Sequence, residues 1–250
     1  MDTNVFEVIN KDSDCELILT CEHASANIPQ EYKNLGLSEA DFDCHIARDK
    51  GAKEVTKLIA DKLNCFAILG KYSRLLIDLN RKEHEKELIV SASDGTTVPA
   101  NQDLSATEKA YRLETYYKPY YEAIENKIKQ INNAGKKAVI FSVHSYTPQL
   151  KGGSYRPWHA GFLFNKQTPL TDFMIDKTQA PNKIIGINVP YDLKKYKTGT
   201  VITCGEEKNL DYALIEIRDD EFADLEKGAK YWADILSEKL SSYLSNKKHQ

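Results

Sequence analysis

The chain has few cysteines and no long apolar run. Each of these absences excludes a class of protein. Its five cysteines are odd in number and lack CxxC spacing, which argues against a disulfide framework and against a thiolate zinc site. This usage favours a reducing cytoplasm. The longest apolar runs, such as Ala138 to Val143, are far shorter than the roughly 20 residues that cross a bilayer. No membrane span is therefore predicted.

An excess of basic residues is also missing. The net charge is −3, and lysine and arginine form no stripe, so the electrostatic footprint of a nucleic-acid binder is absent. The start of the chain, Met1 to Asp14, lacks the basic and apolar regions of a secretory signal. No GxGxxG, P-loop or GxSxG sequence occurs, which counts against a dinucleotide enzyme, an NTPase and a nucleophile-elbow hydrolase. No nucleic-acid partner is therefore predicted.

What is present is typical of a globular protein. Hydrophobic residues make up 41% of the 250 residues and charged residues 28%, which is an ordinary composition for a folded domain. This length can bury one sizeable core. We therefore predict a single domain over residues 1–250.

Short apolar runs predict about seven strands, with helices between them. The runs are Glu16–Thr20, Cys65–Leu69, Arg74–Leu79, Lys137–Val143, Ala160–Phe164, Ile184–Val189 and Ala213–Ile217. The helical patterns are Ala47–Leu63, Tyr116–Ile131 and Asp219–Leu244. Alternation of this kind predicts an α/β fold with a parallel or mixed sheet, which binds ligands beyond the carboxyl ends of its strands.

Two further local signals concern the middle of the chain. Ser105 followed by Glu108 is a capping pattern that predicts a helix beginning near Ala106, and Pro119 is expected to kink or break it. The stretch Glu83–Leu104 contains glycine, proline and many polar residues. It is predicted to be a long loop, a length that is usual for functional or mobile segments such as lids.

Polar residues follow the predicted strands where a metal site would be expected. His23 follows the first strand and His144 the fourth, and a catalytic zinc needs three protein ligands with a fourth position open to water. Asp49 and Glu22 are the two candidates for a third, carboxylate ligand. Each of these residues has an alternative interpretation. A loop histidine is commonly structural, Asp49 is also placed to stabilise the start of a helix, and Glu22 also fits an exposed loop carboxylate.

The segment SRLLIDLNR places Arg74, Asp78, Asn80 and Arg81 on one predicted strand and its exit. The planar guanidinium of arginine suits bidentate recognition of a carboxylate. These residues are therefore candidates for binding a substrate carboxylate. The alternative is an internal salt bridge between Asp78 and one of the arginines.

Glu216 and Arg218 lie two residues apart near the end of the chain, so in a strand they share one face. Glu216 is a candidate general base, and a surface ion pair between the two residues is the alternative. Ser145, which follows His144, is predicted to belong to an active-site wall. The remaining histidines have weaker claims: His45, His84, His159 and His249.

Taken together, six motifs resemble the N-formylglutamate amidohydrolase family, which is similar to the aspartoacylase and zinc carboxypeptidase group. They are CEHAS (21–25), DKGA (49–52), SRLLIDLNR (73–81), SDGTTVP (93–99), HSYTP (144–148) and IEIRDD (215–220). They occur in the family's order over nearly the whole chain. The resemblance implies a three-layer α/β/α sandwich with a mixed, mostly parallel sheet, similar to a phosphorylase/hydrolase core.

The same resemblance implies an activity. The expected reaction is zinc-dependent hydrolysis of an N-acyl amide on an acidic amino acid, such as N-formyl-L-glutamate to formate and glutamate in histidine degradation. By matched motif, His23 and His144 are expected to bind zinc. Glu216 and Arg74 are the expected catalytic residues, with Arg74 polarising the scissile carbonyl. The expected substrate-binding residues are Asp78, Asn80, Arg81, Ser145 and Arg218.

One departure from the related carboxypeptidase pattern leaves the third metal ligand open. That pattern has glutamate three residues after the first histidine, where this chain has Ala26. Asp49 is preferred over Glu22, since the helix after it leaves room for an inward carboxylate. Two other functions are alternatives: a metallo-carboxypeptidase or peptidoglycan amidase, and a non-catalytic binder of an acidic metabolite.

Overall fold

The computed structural model describes residues 5–178 and 180–247. Its strands are β1 (Phe6–Ile9), β2 (Leu17–Cys21), β3 (Phe66–Gly70), β4 (Ala92–Ser93), β5 (Thr96–Thr97), β6 (Val139–Tyr146), β7 (Ala160–Leu163), β8 (Ile185–Ile187) and β9 (Asp211–Arg218). Its helices are α1 (Glu39–Phe42), α2 (Ala52–Leu63), α3 (Ala106–Arg112), α4 (Lys118–Asn133), α5 (Pro169–Lys177), α6 (Leu193–Tyr196) and α7 (Leu225–Lys247).

One mixed sheet organises the chain, with strand order β1-β3-β2-β6-β9-β7-β8. The central strands β3, β2, β6 and β9 are mutually parallel. At one edge β1 runs antiparallel to β3, and at the other β7 and β8 run antiparallel to β9. The carboxyl ends of four central strands therefore meet at one edge, which is where such sheets bind ligands.

Helices cover both faces of this sheet. Alternate residues of the central strands point to opposite sides, as the two-residue period of a strand requires. On one side they pack against α2, α5 and α7, where Trp232 is the largest buried side chain. On the other side they pack against α4 and the segments around it. The predicted α/β/α sandwich with a mixed, mostly parallel sheet is confirmed.

The strand predicted at Arg74–Leu79 is wrong, since this segment forms turns. Its apolar residues are fully buried, but the carbonyl of Leu75 accepts a hydrogen bond from the Asn101 side chain, and that of Leu76 from Arg112. Side chains thus donate the hydrogen bonds that these backbone carbonyls would accept from a neighbouring strand in a sheet. The seventh strand of the sheet is instead β1. It has four residues and is only partly buried, so its hydrophobic pattern is weak.

The helix predictions hold with shifted boundaries. The Ser105 hydroxyl accepts the backbone N–H of Glu108, so α3 begins at Ala106 as predicted. Pro119 does not break the helix, because a wider π turn at Leu113–Tyr117 precedes it and Pro119 falls in the first turn of α4. The helix continues through Pro119, and the π turn is the place where its hydrogen-bond pattern adjusts to a residue without an N–H.

The segment Glu83–Leu104 is more structured than predicted. It contains the β4–β5 hairpin and short 3₁₀ turns at Lys86–Leu88 and Pro99–Asn101. The basic end of the chain, including His249, lies outside the described residues. Among the residues described, no helix is long and apolar enough to cross a membrane.

Candidate active site

The parallel strands bring three predicted site residues to one edge of the sheet. His23 follows the end of β2 by two residues, while His144 lies on β6 and Glu216 on β9. His144 and Glu216 are register partners on adjacent strands. The backbone N–H of Asp49 donates to the carbonyl of His23 at 3.0 Å, so the loop before α2 is held against the same edge.

His23, Asp49 and His144 form a buried group whose potential ligand atoms all lie within 4.8 Å of one another. Asp49 Oδ2 is 2.8 Å from His144 Nδ1 and 3.3 Å from His23 Nδ1. The two imidazole rings meet edge to face with centroids 5.0 Å apart. Two imidazoles and one carboxylate are a usual ligand set of catalytic zinc.

Each imidazole is also held on its far side by a second carboxylate. His23 Nε2 is 2.7 Å from Asp78 Oδ1, and His144 Nε2 is 2.9 Å from Glu22 Oε2. Such outer carboxylates orient metal-binding histidines and fix their tautomer. Glu22 therefore lies on the opposite side of the His144 ring from Asp49. Of the two carboxylates left open by the sequence, Asp49 is the one between the histidines.

We call the four carboxylates and two histidines at this edge the histidine–carboxylate cluster: Glu22, His23, Asp49, Asp78, His144 and Glu216. Burial alone would raise the pKa of Glu22, but hydrogen bonding and the charge of His144 outweigh it and lower the pKa to about 2. Burial would likewise raise the pKa of Asp49, but the histidines hold it well below its usual range.

The histidines respond in the opposite direction. Burial would lower the pKa of His144, but hydrogen bonds to Asp49 and Glu22 raise it well above its ordinary value. Buried anions need compensating positive charge. When both imidazoles are neutral, the cations that contact these carboxylates within the described residues are Arg74, 2.9 Å from Asp78, and Arg81, 3.9 Å from it. The donor set and the charge of the cluster both fit a divalent cation.

Glu216 differs from the other carboxylates of the cluster. Its side chain is buried, and within the described residues its Oε2 has no hydrogen-bond partner. Burial, with the nearby charge of Asp49, raises its pKa to about 7 despite the opposing effect of His144. A carboxylate with these properties can accept and return a proton near neutral pH. The alternative of a surface ion pair with Arg218 is wrong, because both residues are buried and, among the described residues, Arg218 pairs with Asp220 instead.

A cavity of about 250 Å³ opens over the cluster. This is slightly below the roughly 300 to 1,000 Å³ of pockets for drug-sized ligands, so it suits a small metabolite. Its lining residues are His23, Asp49, Arg74, Asn80, Arg81, His144, Ser145, Leu163, Tyr191, Leu193, Tyr196, Thr198, Leu214 and Glu216. No residue of Glu83–Leu104 is among them, so that loop does not cover the cavity.

Two predicted substrate-binding residues lie elsewhere. Asp78 does not line the cavity, because its oxygens accept hydrogen bonds from His23, Arg74 and the backbone of Asn80. The predicted salt bridge between Asp78 and an arginine is thus present. Arg218 is also absent from the cavity, since its Nε donates to Asp220 at 2.7 Å. Direct substrate binding by these two residues stays a prediction.

The other histidines are separate from the cluster. The Nδ1 atom of His159 accepts a hydrogen bond from the backbone of Ile184, which makes it structural. His45 Nε2 lies 3.3 Å from Asp94. His84 is exposed and does not line the cavity.

Sequence reasoning missed the side of the cavity that faces solvent. We call residues 191–198 the outer wall, which contributes Tyr191, Leu193, Tyr196 and Thr198 to the lining. The short helix α6 forms it, beginning where the Asp192 side chain accepts the backbone N–H of Lys194. That capping aspartate is the one local signal available. One turn of helix gives too little periodicity to be recognised.

Comparison with known proteins agrees with this architecture. The sequence profile of the N-formylglutamate amidohydrolase family matches residues 15–223, a range that includes the whole histidine–carboxylate cluster. No curated protein matches the chain significantly.

Two solved structures are similar over almost their full length. The crystal structure of a gene product of Agrobacterium tumefaciens is 30% identical in sequence with a TM-score of 0.89, and the match covers 98% of this chain and 96% of that one. The N-formylglutamate amidohydrolase of Ralstonia eutropha is 16% identical with a TM-score of 0.66, covering 94% of this chain and 97% of that one. The second likeness concerns the fold alone.

Proposed function

Because this chain belongs to the N-formylglutamate amidohydrolase family, we propose that it hydrolyses the amide bond of an N-acylated acidic amino acid. N-formyl-L-glutamate, which would give formate and glutamate, is the substrate that the family relation indicates. We further propose that the reaction depends on zinc. His23, Asp49 and His144 would hold the ion.

One observation carries the metal proposal: the two imidazoles face a shared carboxylate and each is backed by another. The Nδ1 atoms of His23 and His144 both approach Asp49 Oδ2, while their Nε2 atoms approach Asp78 and Glu22. A bound zinc ion supplies Lewis acidity, which activates water near neutral pH and polarises a carbonyl group. The carboxylates keep the imidazoles oriented for binding it.

Glu216 is the proton carrier in this proposal. It is buried within the cluster and lines the cavity, and among the described residues its Oε2 has no hydrogen-bond partner. In the attack step it would take a proton from water. It would then return that proton to the nitrogen of the leaving amine, as a general base that becomes a general acid.

Other side chains around the cavity would hold the substrate. Asn80 Oδ1 accepts the backbone N–H of Thr200 at 3.0 Å, which leaves the amide Nδ2 to donate to a substrate carboxylate beside Arg81. Arg74, fixed by Asp78 at 2.9 Å, would donate to the scissile carbonyl. The Ser145 hydroxyl is buried without a partner in the described chain and would donate to bound substrate.

The decisive experiment combines metal analysis with product analysis on one preparation. We expect about one zinc per chain, release of formate and glutamate from N-formyl-L-glutamate, and loss of activity on chelation with recovery on adding zinc back. Full turnover by a verified metal-free sample would overturn the metal proposal. Tight binding without product release would instead support a non-catalytic binder, and faster cleavage of longer peptides would support a peptidase.

A further inference from the structure

An acidic N-acyl amino acid has two carboxylates, whereas the cavity lining has one guanidinium that is not held by a close ion pair. Arg74 and Arg81 are the two arginines that line the cavity. Arg74 is bound to Asp78 at 2.9 Å and lies 3.7 Å from Asp49, so its charge is already balanced. Arg81 lies farther from its nearest carboxylates, at 3.9 Å from Asp78 and 3.8 Å from Glu85. It can take one carboxylate, and the second needs another partner.

Arg156 does not itself line the cavity, but its guanidinium lies against Tyr191, which does. Its charged group lies over the rings of Tyr191 and Tyr146, at 5.2 Å and 5.8 Å from their centroids. Within the described chain it makes no ion pair, and of its side-chain nitrogens only Nη1 donates, to the Thr147 carbonyl and to the Tyr191 hydroxyl. The remaining donors are free for a ligand.

The backbone of Arg156 is held at both ends. Its N–H donates to the Pro148 carbonyl at 2.8 Å, and its carbonyl accepts a hydrogen bond from Arg218 Nη1 at 3.0 Å. This contact gives Arg218, which does not line the cavity, a positioning role. A guanidinium placed by two backbone contacts and two aromatic rings is preorganised, which reduces the entropy lost on binding.

The Tyr191 hydroxyl connects Arg156 to the cavity. Tyr191 lines the cavity, and its hydroxyl oxygen lies 3.4 Å from Arg156 Nη1. Since that oxygen accepts from the guanidinium, its own proton is available to donate elsewhere. Burial and the charge of Glu216 raise the pKa of Tyr191, so the hydroxyl keeps its proton near neutral pH.

We propose that Arg156 and Tyr191 form a subsite for the side-chain carboxylate of the substrate. This inference rests on the proposed function, because it assigns the second carboxylate of the same acidic substrate. Arg81 and Asn80 would hold the carboxylate next to the scissile amide. Arg156 and the Tyr191 hydroxyl would hold the distal one at the mouth of the cavity, and so select acidic over neutral side chains.

The test compares N-formyl-L-glutamate with N-formyl-L-glutamine, which has the same shape without the distal charge. In the wild-type enzyme we expect kcat/KM to be about 10- to 100-fold higher for the glutamate substrate, the effect of a charge-assisted hydrogen bond. Arg156→Gln should remove most of this preference by raising KM for the glutamate substrate alone. Arg156→Lys should restore part of it, and Tyr191→Phe should reduce it less.

Lys129→Gln is the matched control, because Lys129 is an exposed cation on α4 that does not line the cavity. It removes one positive charge from the protein surface and should leave the preference unchanged. An equal loss on both substrates in Arg156→Gln, or no preference in the wild type, overturns the subsite. Thermal unfolding identifies any variant that is misfolded, and Arg156→Lys then provides the comparison.

Binding separates failure of this inference from failure of the proposed function. Calorimetry with L-glutamate and L-glutamine measures the same preference without turnover. If the protein releases no formate from any N-formyl amino acid but binds glutamate more tightly in an Arg156-dependent way, the subsite stands and the hydrolytic function fails. If it hydrolyses both substrates equally, the function stands and the subsite fails.

Discussion

The histidine–carboxylate cluster and the outer wall face each other across one cavity and are built in opposite ways. The cluster is buried, and most of its polar atoms have partners contributed by β2, β6 and the loop before α2. In the outer wall, Tyr191 is 37% exposed and Tyr196 is 61% exposed. Its regular structure is the four-residue helix α6.

We expect the cluster to carry out the chemical step and the outer wall to select the substrate. Strand register fixes the distance between His144 and Glu216, so the cluster can hold reacting groups within the narrow limits that catalysis needs. The chain directly after the outer wall is held to the rest of the cavity by single contacts, such as the hydrogen bond from the Thr200 backbone to Asn80. Changes in the cluster should therefore affect metal binding and kcat, and changes near the outer wall should affect KM and substrate preference.

The largest effect is expected for His144→Ala. Removing one of two imidazoles should reduce bound zinc well below one per chain, and activity should fall by about 10⁴-fold or more, since the Lewis acid is lost. Metal analysis and formate release measure both. His84→Ala, at an exposed histidine outside the cavity, is the control and should behave as wild type. Zinc bound at wild-type level in His144→Ala would show that the metal lies elsewhere.

Glu216→Gln should be next in size and should separate chemistry from metal binding. We expect kcat to fall roughly 10²- to 10³-fold with zinc content unchanged, because a general base is lost and no ligand is. Burial raises the pKa of Glu216, so its basic form is present only above that raised pKa, and wild-type activity should decrease as pH falls through it. This acid limb should disappear in the variant. An unchanged limb would assign it to another group.

The cluster was largely predictable from the sequence, and the reason is local. The apolar runs that end near His23 and His144 are buried strands, and parallel strands place their carboxyl ends together. The run Arg74–Leu79 misled the same reasoning, because it is equally apolar and buried while its backbone bonds to Asn101 and Arg112. Apolar patterning reports burial and does not identify the hydrogen-bond partner.

The outer wall was not predictable, because its position depends on contacts distant in sequence. Asn80 is held by the backbone of Thr200, 120 residues away, and α6 is too short for a periodic pattern. The surroundings of Arg218 were unpredictable for a related reason. Its partners Asp220 and the carbonyl of Arg156 become visible only once the loop after β6 is placed.

A smaller effect is expected for Asp78→Asn, which tests the outer layer of the cluster. Asp78 accepts from His23 Nε2 at 2.7 Å, and loss of such an outer carboxylate commonly weakens metal binding about 10- to 100-fold. Zinc affinity measured by chelator competition should fall within that range. Asp61→Asn, at an exposed aspartate on α2, is the matched control. Unchanged affinity would mean that His23 is oriented without Asp78.

The smallest effect is expected for Gly199→Ala, next to the outer wall. Gly199 has φ +95°, and a Cβ there would lie 2.4 Å from Asn80 Oδ1, so Asn80 must move. KM should rise about 3- to 10-fold, the effect of about 1 kcal/mol, while zinc content and the pH profile stay unchanged. Gly152→Ala has a similar φ of +71° but no atom within 4 Å of the added Cβ, so it controls for backbone strain alone. A loss of zinc in Gly199→Ala and not in Gly152→Ala would mean that the outer wall and the cluster are coupled through Asn80 and its neighbour Asp78.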